Sequence, residues 1–161
     1  MDRGYEKTRE AALRILERRR RTRADLAQRL KEKGLAPEDI EAVCERLTEV
    51  GLLNDLEFAR LYLQGREGKP RGTRLLHKEL RHKGVPAEVA EEALARMAEA
   101  GPDGEAEMDR ARTQARQSAR KLAGLEPREA RQKLFAILGR RGFGMDVIEA
   151  ISREMAAARK G

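Results

Sequence analysis

The chain has 161 residues, of which 39% are charged and 3% aromatic, and it contains no tryptophan. This composition excludes one large aromatic core and suits several small cores built from aliphatic side chains. The formal net charge of +7 and the isoelectric point near 9.9 favour a polyanionic partner or an acidic protein surface.

Apolar spacing predicts helices along the whole chain, and no run of alternating apolar residues predicts a strand. Three of the predicted helices run from Thr8 to about Arg19, from Asp55 to about Gln64 and from Glu105 to about Leu122. The second of them opens with Asn54-Asp55-Leu56-Glu57, a capping-box pattern that favours a helix start at this point.

Each of these helices is followed by a stretch of leucine, three residues and glycine: LKEKG, LRHKG and LGRRG, which end at Gly34, Gly84 and Gly142. Glycine at this position predicts a helix C-cap, because a positive φ is cheap only without a Cβ. Apolar residues recur at matched distances before and after each glycine, which indicates an internal repeat. We therefore predict an all-α fold of three tandem three-helix repeats, stacked as an elongated, curved rod, over residues 1–53, 54–101 and 102–161.

The sequence contains no pattern for catalysis: it has no phosphate-binding loop, dinucleotide fingerprint, metal-ligand spacing or Ser/His/Asp set. Cys44 lies at helical spacing with three aliphatic residues, so we interpret it as a core residue and not as a nucleophile. His77 and His82 are five residues apart, a poor spacing for one metal on one helix face. We expect a protein that is not an enzyme and uses no cofactor or metal.

The charges are segregated along the chain. The net charge is +6 over residues 1–34, −6 over 35–59, +6 over 60–84, −7 over 85–109 and +8 over 110–141. Acidic helices that bridge to basic neighbours inside the protein would explain this pattern. We favour the alternative, a basic face presented to an anion, because basic residues outnumber acidic ones.

Basic residues at helical spacing are our candidate contacts with DNA or a filament. Helical spacing predicts one exposed basic stripe opposite Leu76 and Leu80, formed by residues 71, 74, 78 and 81. The alternative interpretation is an ordinary solvated face with no ligand. The preceding loop GREGKPRG adds two cations and glycines that let backbone amides approach a phosphate. Aromatic residues are too few for base stacking, so we expect sequence-independent, salt-sensitive contacts with phosphates. The candidate residues are Arg66, Lys69, Arg71, Arg74, Lys78, Arg81, Arg112, Arg116, Arg120, Arg20, Arg21 and Arg23.

The arginines at 112, 116 and 120 fall at i, i+4 and i+8 of the helix predicted from Glu105. Like charges at this spacing repel each other, so they require an anion or a neighbouring acidic helix.

These features together resemble the RecX family of recombination regulators. The resemblance rests on Ala12-Leu13 with Leu16, on RTRADL at 21–26 with LKEKG, on GLLNDLEFARLYLQGR at 51–66 and on GTRLLHKELRHKG at 72–84. It implies three tandem three-helix repeats and binding along the groove of the RecA–single-stranded DNA filament. It further implies inhibition of the strand exchange, ATPase and coprotease activities of RecA, and so regulation of DNA repair and the SOS response.

Two other classes of protein stay open. One is a sequence-independent DNA-binding protein built from helix-turn-helix-like repeats, which binds single-stranded or double-stranded DNA through phosphates. The other is a helical scaffold whose basic face meets an acidic protein.

We expect a cytoplasmic monomer with no membrane contact. No apolar run approaches the roughly 18 residues of a membrane span, and the N-terminal MDRGYEKTRE lacks the apolar stretch of a signal peptide. The single cysteine allows no internal disulfide.

Overall fold

The computed structural model describes residues 2–67, 69–99 and 105–160. Within these ranges the chain is helical and contains no strand, which confirms the predicted all-α class. The helices of the described ranges are α1 (Arg3–Arg18), α2 (Arg23–Glu32), α3 (Pro37–Glu49), α4 (Asp55–Gln64), α5 (Thr73–His82), α6 (Ala87–Glu99), α7 (Glu105–Gln117), α8 (Ala119–Leu122), α9 (Pro127–Arg140) and α10 (Met145–Lys160).

The chain divides into two compact units, and each has its own core. The first unit consists of Met1–Tyr62 with Leu80–Ala93, and the second of Leu63–Glu79 with Leu94–Gly161. Both cores are mainly aliphatic, as the composition predicts. Buried side chains of the first core are those of Leu26, Leu30, Val43, Cys44 and Leu53, and those of the second are Leu134, Leu138, Phe143, Ile148 and Ile151.

Side-chain caps mark the beginnings of α4 and α1. α4 begins at Asp55 as predicted, where the Asn54 side chain accepts a hydrogen bond from the backbone N–H of Glu57 at 3.0 Å. α1 begins at Arg3, five residues before the predicted start, because the Asp2 carboxylate accepts a hydrogen bond from the N–H of Gly4 at 3.3 Å. The predicted start at Thr8 is therefore wrong.

The helix predicted from Glu105 to Leu122 is interrupted at Ser118, so that prediction is also wrong. α7 ends at Gln117, and Lys121 N–H donates to the carbonyl of Ser118 at 3.0 Å in a tight turn that begins α8. The buried Ser118 hydroxyl accepts a hydrogen bond from the Gln114 side chain at 2.9 Å. Arg120 consequently lies on α8 and not on a continuous helix with Arg112 and Arg116.

The repeated glycine forms the same helix-ending turn three times. The φ angles are 78° at Gly34, 96° at Gly84 and 83° at Gly142. In each turn the N–H after the glycine donates to the carbonyl of the leucine four residues before the glycine, over 3.4, 3.0 and 3.2 Å. This is the hydrogen bond of a Schellman cap, and it confirms the prediction of three glycine C-caps.

In the first unit, the turn at Gly84 packs against the N-terminus of α2. The buried Thr22 hydroxyl caps α2 by accepting from the N–H of Asp25 at 3.2 Å, and it donates to the carbonyl of Lys83 at 2.8 Å. A Cβ added to Gly84 would lie 2.7 Å from the same hydroxyl oxygen. This glycine therefore allows a close approach as well as a positive φ.

In the second unit, the turn at Gly142 packs in the equivalent way against the N-terminus of α5. Gly72 N–H donates to the carbonyl of Arg141 at 2.8 Å, and Arg74 N–H donates to the carbonyl of Gly142 at 3.1 Å. Gly72 and Thr22 occupy matched positions, four residues before a buried leucine of the helix that follows. The same interlock thus joins a glycine turn to an earlier helix start in both units.

We expect the thiol of Cys44 to react slowly in the native protein. Its side chain is 1% exposed in the first core, and burial raises its pKa, although the charge of Arg23 opposes this. Because a thiol reagent needs an accessible thiolate, modification should be at least about tenfold slower in buffer than in concentrated urea. A chromogenic disulfide reagent measures both rates. Equal rates would contradict the assignment of Cys44 to the core.

Candidate nucleic-acid interface

Glu79 on α5 holds both arginines of the loop that precedes this helix. Because α5 begins at Thr73, Arg71 lies outside the helix, and its guanidinium pairs with the Glu79 carboxylate. Arg66 Nε lies 3.8 Å from the other carboxylate oxygen of Glu79. Arg71 therefore does not extend the helical stripe as the spacing predicted, and both loop arginines already have an acidic partner.

The remaining cations of α5 form a row on its exposed side. Arg74, Lys78 and Arg81 are exposed at i, i+4 and i+7, whereas Leu76 and Leu80 on the opposite side are 2% and 0% exposed. Among the described residues, no carboxylate oxygen lies within 4 Å of the Arg74 or Lys78 charge. We call Arg74, Lys78 and Arg81 the α5 cation row.

Arg81 differs from the other two members of the row because it also supports the turn at Gly84. One of its terminal nitrogens donates to the carbonyl of Val85 at 3.0 Å. The side chain stays exposed, so its charge remains accessible to an anion.

α7 fixes the start of α5 through two residues that the sequence did not single out. Arg110 Nε donates to the carbonyl of Arg71 at 2.8 Å, and the Glu107 carboxylate accepts from the N–H of Thr73 at 3.3 Å. Burial lowers the pKa of Arg110, while the charge of Glu107 acts in the opposite direction. No local pattern marks either residue, because both contacts join segments more than 30 residues apart.

Arg112 is surrounded by carboxylates of its own chain. Its terminal nitrogens lie 2.9 Å from Glu154 on α10, 2.8 Å from Asp109 and 3.4 Å from Glu105. The hydrogen bonds that Arg112 donates, that to Glu154 first, raise the pKa of Arg112, and the same pairing lowers the pKa of Glu154. The predicted need of this arginine for an acidic neighbour is therefore met inside the protein.

Arginines near the start of α2 also bridge to acidic residues. A terminal nitrogen of Arg21 lies 3.1 Å from a carboxylate oxygen of Asp25, and the Arg23 guanidinium pairs with the carboxylate of Glu41 on the acidic helix α3. Arg20 is exposed, and its charge adds to the hydrogen bond from Arg60 that lowers the pKa of Glu57. Internal bridging thus accounts for part of the charge segregation.

Part of the predicted set of DNA-contact residues stays exposed and has no carboxylate within 4 Å among the described residues. They are Arg20, Lys69, Arg74, Lys78, Arg81, Arg116 and Arg120.

In the part of the chain that the structure describes, no group of three or more His, Cys, Asp or Glu side chains is placed to hold a metal ion. None of its helices is both long enough and apolar enough to cross a bilayer.

The fold and this surface define an all-helical protein of repeated three-helix domains with a cationic helix in the middle domain. Models of the RecX family match all three parts: the first three-helix domain at residues 9–47, the second at 54–94 and the third at 105–151. The chain therefore belongs to the RecX family.

Relatives named regulatory protein RecX are similar to parts of the chain. The one from Halorhodospira halophila is 42% identical over 67 residues, and the one from Mycobacterium ulcerans is 43% identical over 70 residues. These alignments span 42% and 40% of the relatives, so the chain matches about two fifths of their length. The crystal structure of RecX from Lactobacillus salivarius shares the fold, with a TM-score of 0.85 at 23% identity over 96% of this chain and 97% of that one.

Proposed function

We propose that the protein is a non-enzymatic regulator that binds the RecA–single-stranded DNA filament along its groove and inhibits the recombinase, ATPase and coprotease activities of RecA. Membership of the RecX family supports a regulatory role, since the relatives carry the name regulatory protein RecX. The observation that carries the DNA part of the proposal is the α5 cation row, whose charges point to an anion from outside the chain.

Phosphate is the anion that fits this row best. Arg74 and Lys78 lie one helical turn apart, about 6 Å along the axis, and neither has a carboxylate within 4 Å in the described ranges. A guanidinium binds a phosphate through two parallel hydrogen bonds, and an ammonium binds it as a point charge. Such contacts carry no sequence information, so they suit a partner that coats DNA of any sequence.

Exposed cations elsewhere supply further contacts in this proposal. Arg116 and Arg120 stand on either side of the break at Ser118, and Lys69 lies in the loop before α5. Five of the predicted contact residues have carboxylate partners, so an ion pair would have to open before any of them could contact DNA. They are Arg112, Arg71, Arg66, Arg21 and Arg23. We therefore assign the main DNA contacts to the α5 cation row.

A sequence-independent DNA-binding protein without a RecA partner is the second candidate. The same exposed cations support it, because phosphate contacts do not distinguish a filament from bare single-stranded or double-stranded DNA. The two candidates differ only in whether RecA activity changes.

The deciding experiment is the single-strand-dependent ATPase of RecA with this chain added well below one copy per RecA. We expect a strong fall in the rate, because a protein bound to a filament affects many subunits from few sites. A stoichiometric excess of the chain at low salt that leaves the rate unchanged would remove RecA from the proposal. Binding to oligonucleotides in the same buffer would then favour the second candidate.

A further inference from the structure

A groove of about 880 Å³ in the second unit is lined by residues of α8, α9 and α10. Its floor is apolar. At its base, Leu122 and Leu134 belong to the core and are 4% and 2% exposed. The exposed Pro127 and Ala156 and the half-buried Met155 supply its accessible apolar surface. The groove has the size of a ligand-binding pocket but is partly open to solvent, which suits a chain segment better than an enclosed small molecule.

The rim of this groove is strongly basic. Five of its lining residues are cations, and Glu149 is its one acidic lining residue. Among the described residues, Arg128, Arg131 and Arg153 have no carboxylate within 4 Å. The cations of the rim are Arg128, Arg131, Arg153, Arg159 and Lys160.

Two of these cations are held in place without being neutralised. The Arg131 guanidinium lies over the ring of Phe135, 5.2 Å from its centre. Arg159 donates to the carbonyls of Leu122 and Leu125 at 3.3 and 3.4 Å, beside the C-terminal end of α8. Neutral partners leave both positive charges available to an anion that enters the groove.

We infer that this groove binds an acidic, amphipathic peptide segment of a partner protein. Apolar side chains of the segment cover Pro127, Met155 and Ala156, and its carboxylates meet the cations of the rim. This is the arrangement of a helix laid in a groove, where the apolar face supplies contact area and the charges set the orientation. None of the residues to which we assign DNA contacts is among those that line this groove.

The apolar floor favours a peptide over a nucleic acid. DNA would satisfy the rim through phosphates, but it would bring only bases to the floor, and bases bind by stacking on aromatic rings. The residues that line the groove include no aromatic side chain. A peptide with leucines between glutamates matches both the floor and the rim.

Fluorescence anisotropy of a labelled peptide tests this inference with the full chain and without RecA. The probe has about 14 residues, the length of α9 and about 21 Å as a helix, with leucine at i, i+3, i+4 and i+7 and glutamate elsewhere. We expect saturable binding. Two control peptides, one with serine for each leucine and one with lysine for each glutamate, should bind at least about tenfold more weakly.

Two variants of the chain locate the binding. Arg128→Glu with Arg153→Glu reverses two exposed rim charges and should weaken binding at least about tenfold. Ser152→Trp fills the groove without changing its charge and should weaken binding by a similar factor. The matched control is Arg74→Glu with Lys78→Glu on α5, which should leave peptide binding unchanged.

Three results would overturn the inference. The first is no saturable binding of the leucine–glutamate peptide. The second is equal binding of the serine peptide, which would mean charge attraction alone. The third is displacement of the peptide by oligo(dT) together with loss of oligo(dT) binding in the rim variant, which would make nucleic acid the occupant. All three results come from binding measurements made without RecA, so a failure of this inference can be told apart from a failure of the proposed function.

Discussion

Gly142→Ala is expected to destabilise the second unit by roughly 3 kcal/mol. Two costs combine. Alanine is strained at the φ of +83°, and its Cβ would lie 2.9 Å from the Cα and 2.5 Å from the Cβ of Leu75 at the start of α5. A helix backbone cannot rotate away as a side chain can, so the α9–α10 turn and α5 must separate.

Gly34→Ala is the matched control for this prediction. Gly34 has nearly the same φ, +78°, but an added Cβ would meet nothing within 4 Å. Its cost should be the backbone strain alone, about 1 kcal/mol. Gly84→Ala should fall between the two, because its nearest contact is the Thr22 hydroxyl, which can rotate away at the cost of its two hydrogen bonds.

Urea unfolding followed by far-ultraviolet circular dichroism measures this series. The free energy of unfolding should fall by about 2 kcal/mol per molar urea. The urea midpoint should then be lower by about 1.5 M for Gly142→Ala and by about 0.5 M for Gly34→Ala. Equal losses at both positions would show that only the φ angle matters. The interlock between the glycine turn and α5 would then contribute nothing to stability.

The three glycines show why the repeat was predictable and its packing was not. A positive φ and a hydrogen bond back to the preceding helix involve neighbouring residues, so the local sequence determines them. The contact of Gly142 with Leu75 joins residues 67 positions apart and leaves no local pattern. The matched pattern at Gly34 looked the same, although its surroundings are open.

The candidate interface was predictable to a similar extent. Helical spacing placed Arg74, Lys78 and Arg81 opposite the buried leucines, because the direction of a side chain follows from its position on the helix. Spacing could not indicate which cations have acidic partners. Arg112 meets Glu154 from 42 residues away, and this pairing depends on how α7 packs on α10.

Charge reversal of the α5 cation row should have the largest effect on binding. Arg74→Glu with Lys78→Glu is expected to weaken binding to oligo(dT) and to the RecA–single-stranded DNA filament by roughly tenfold to a hundredfold at low salt. The reason is that two phosphate contacts are lost and two repulsive charges replace them. Arg81 is left unchanged, since its hydrogen bond to the carbonyl of Val85 would add a folding effect. Fluorescence anisotropy with labelled oligo(dT), free and coated with RecA, measures both affinities.

The salt dependence of binding separates lost contacts from lost net charge. For single strands each phosphate contact contributes about 0.7 to the slope of log K against log salt, so the double variant should lower that slope by about 1.4. The control is Lys7→Glu with Arg14→Glu on α1, which changes the net charge equally through two exposed residues outside the candidate set. It should lower affinity only slightly and keep the slope. If both variants weakened binding alike, the overall positive charge would account for DNA binding, and the α5 cation row would have no special role.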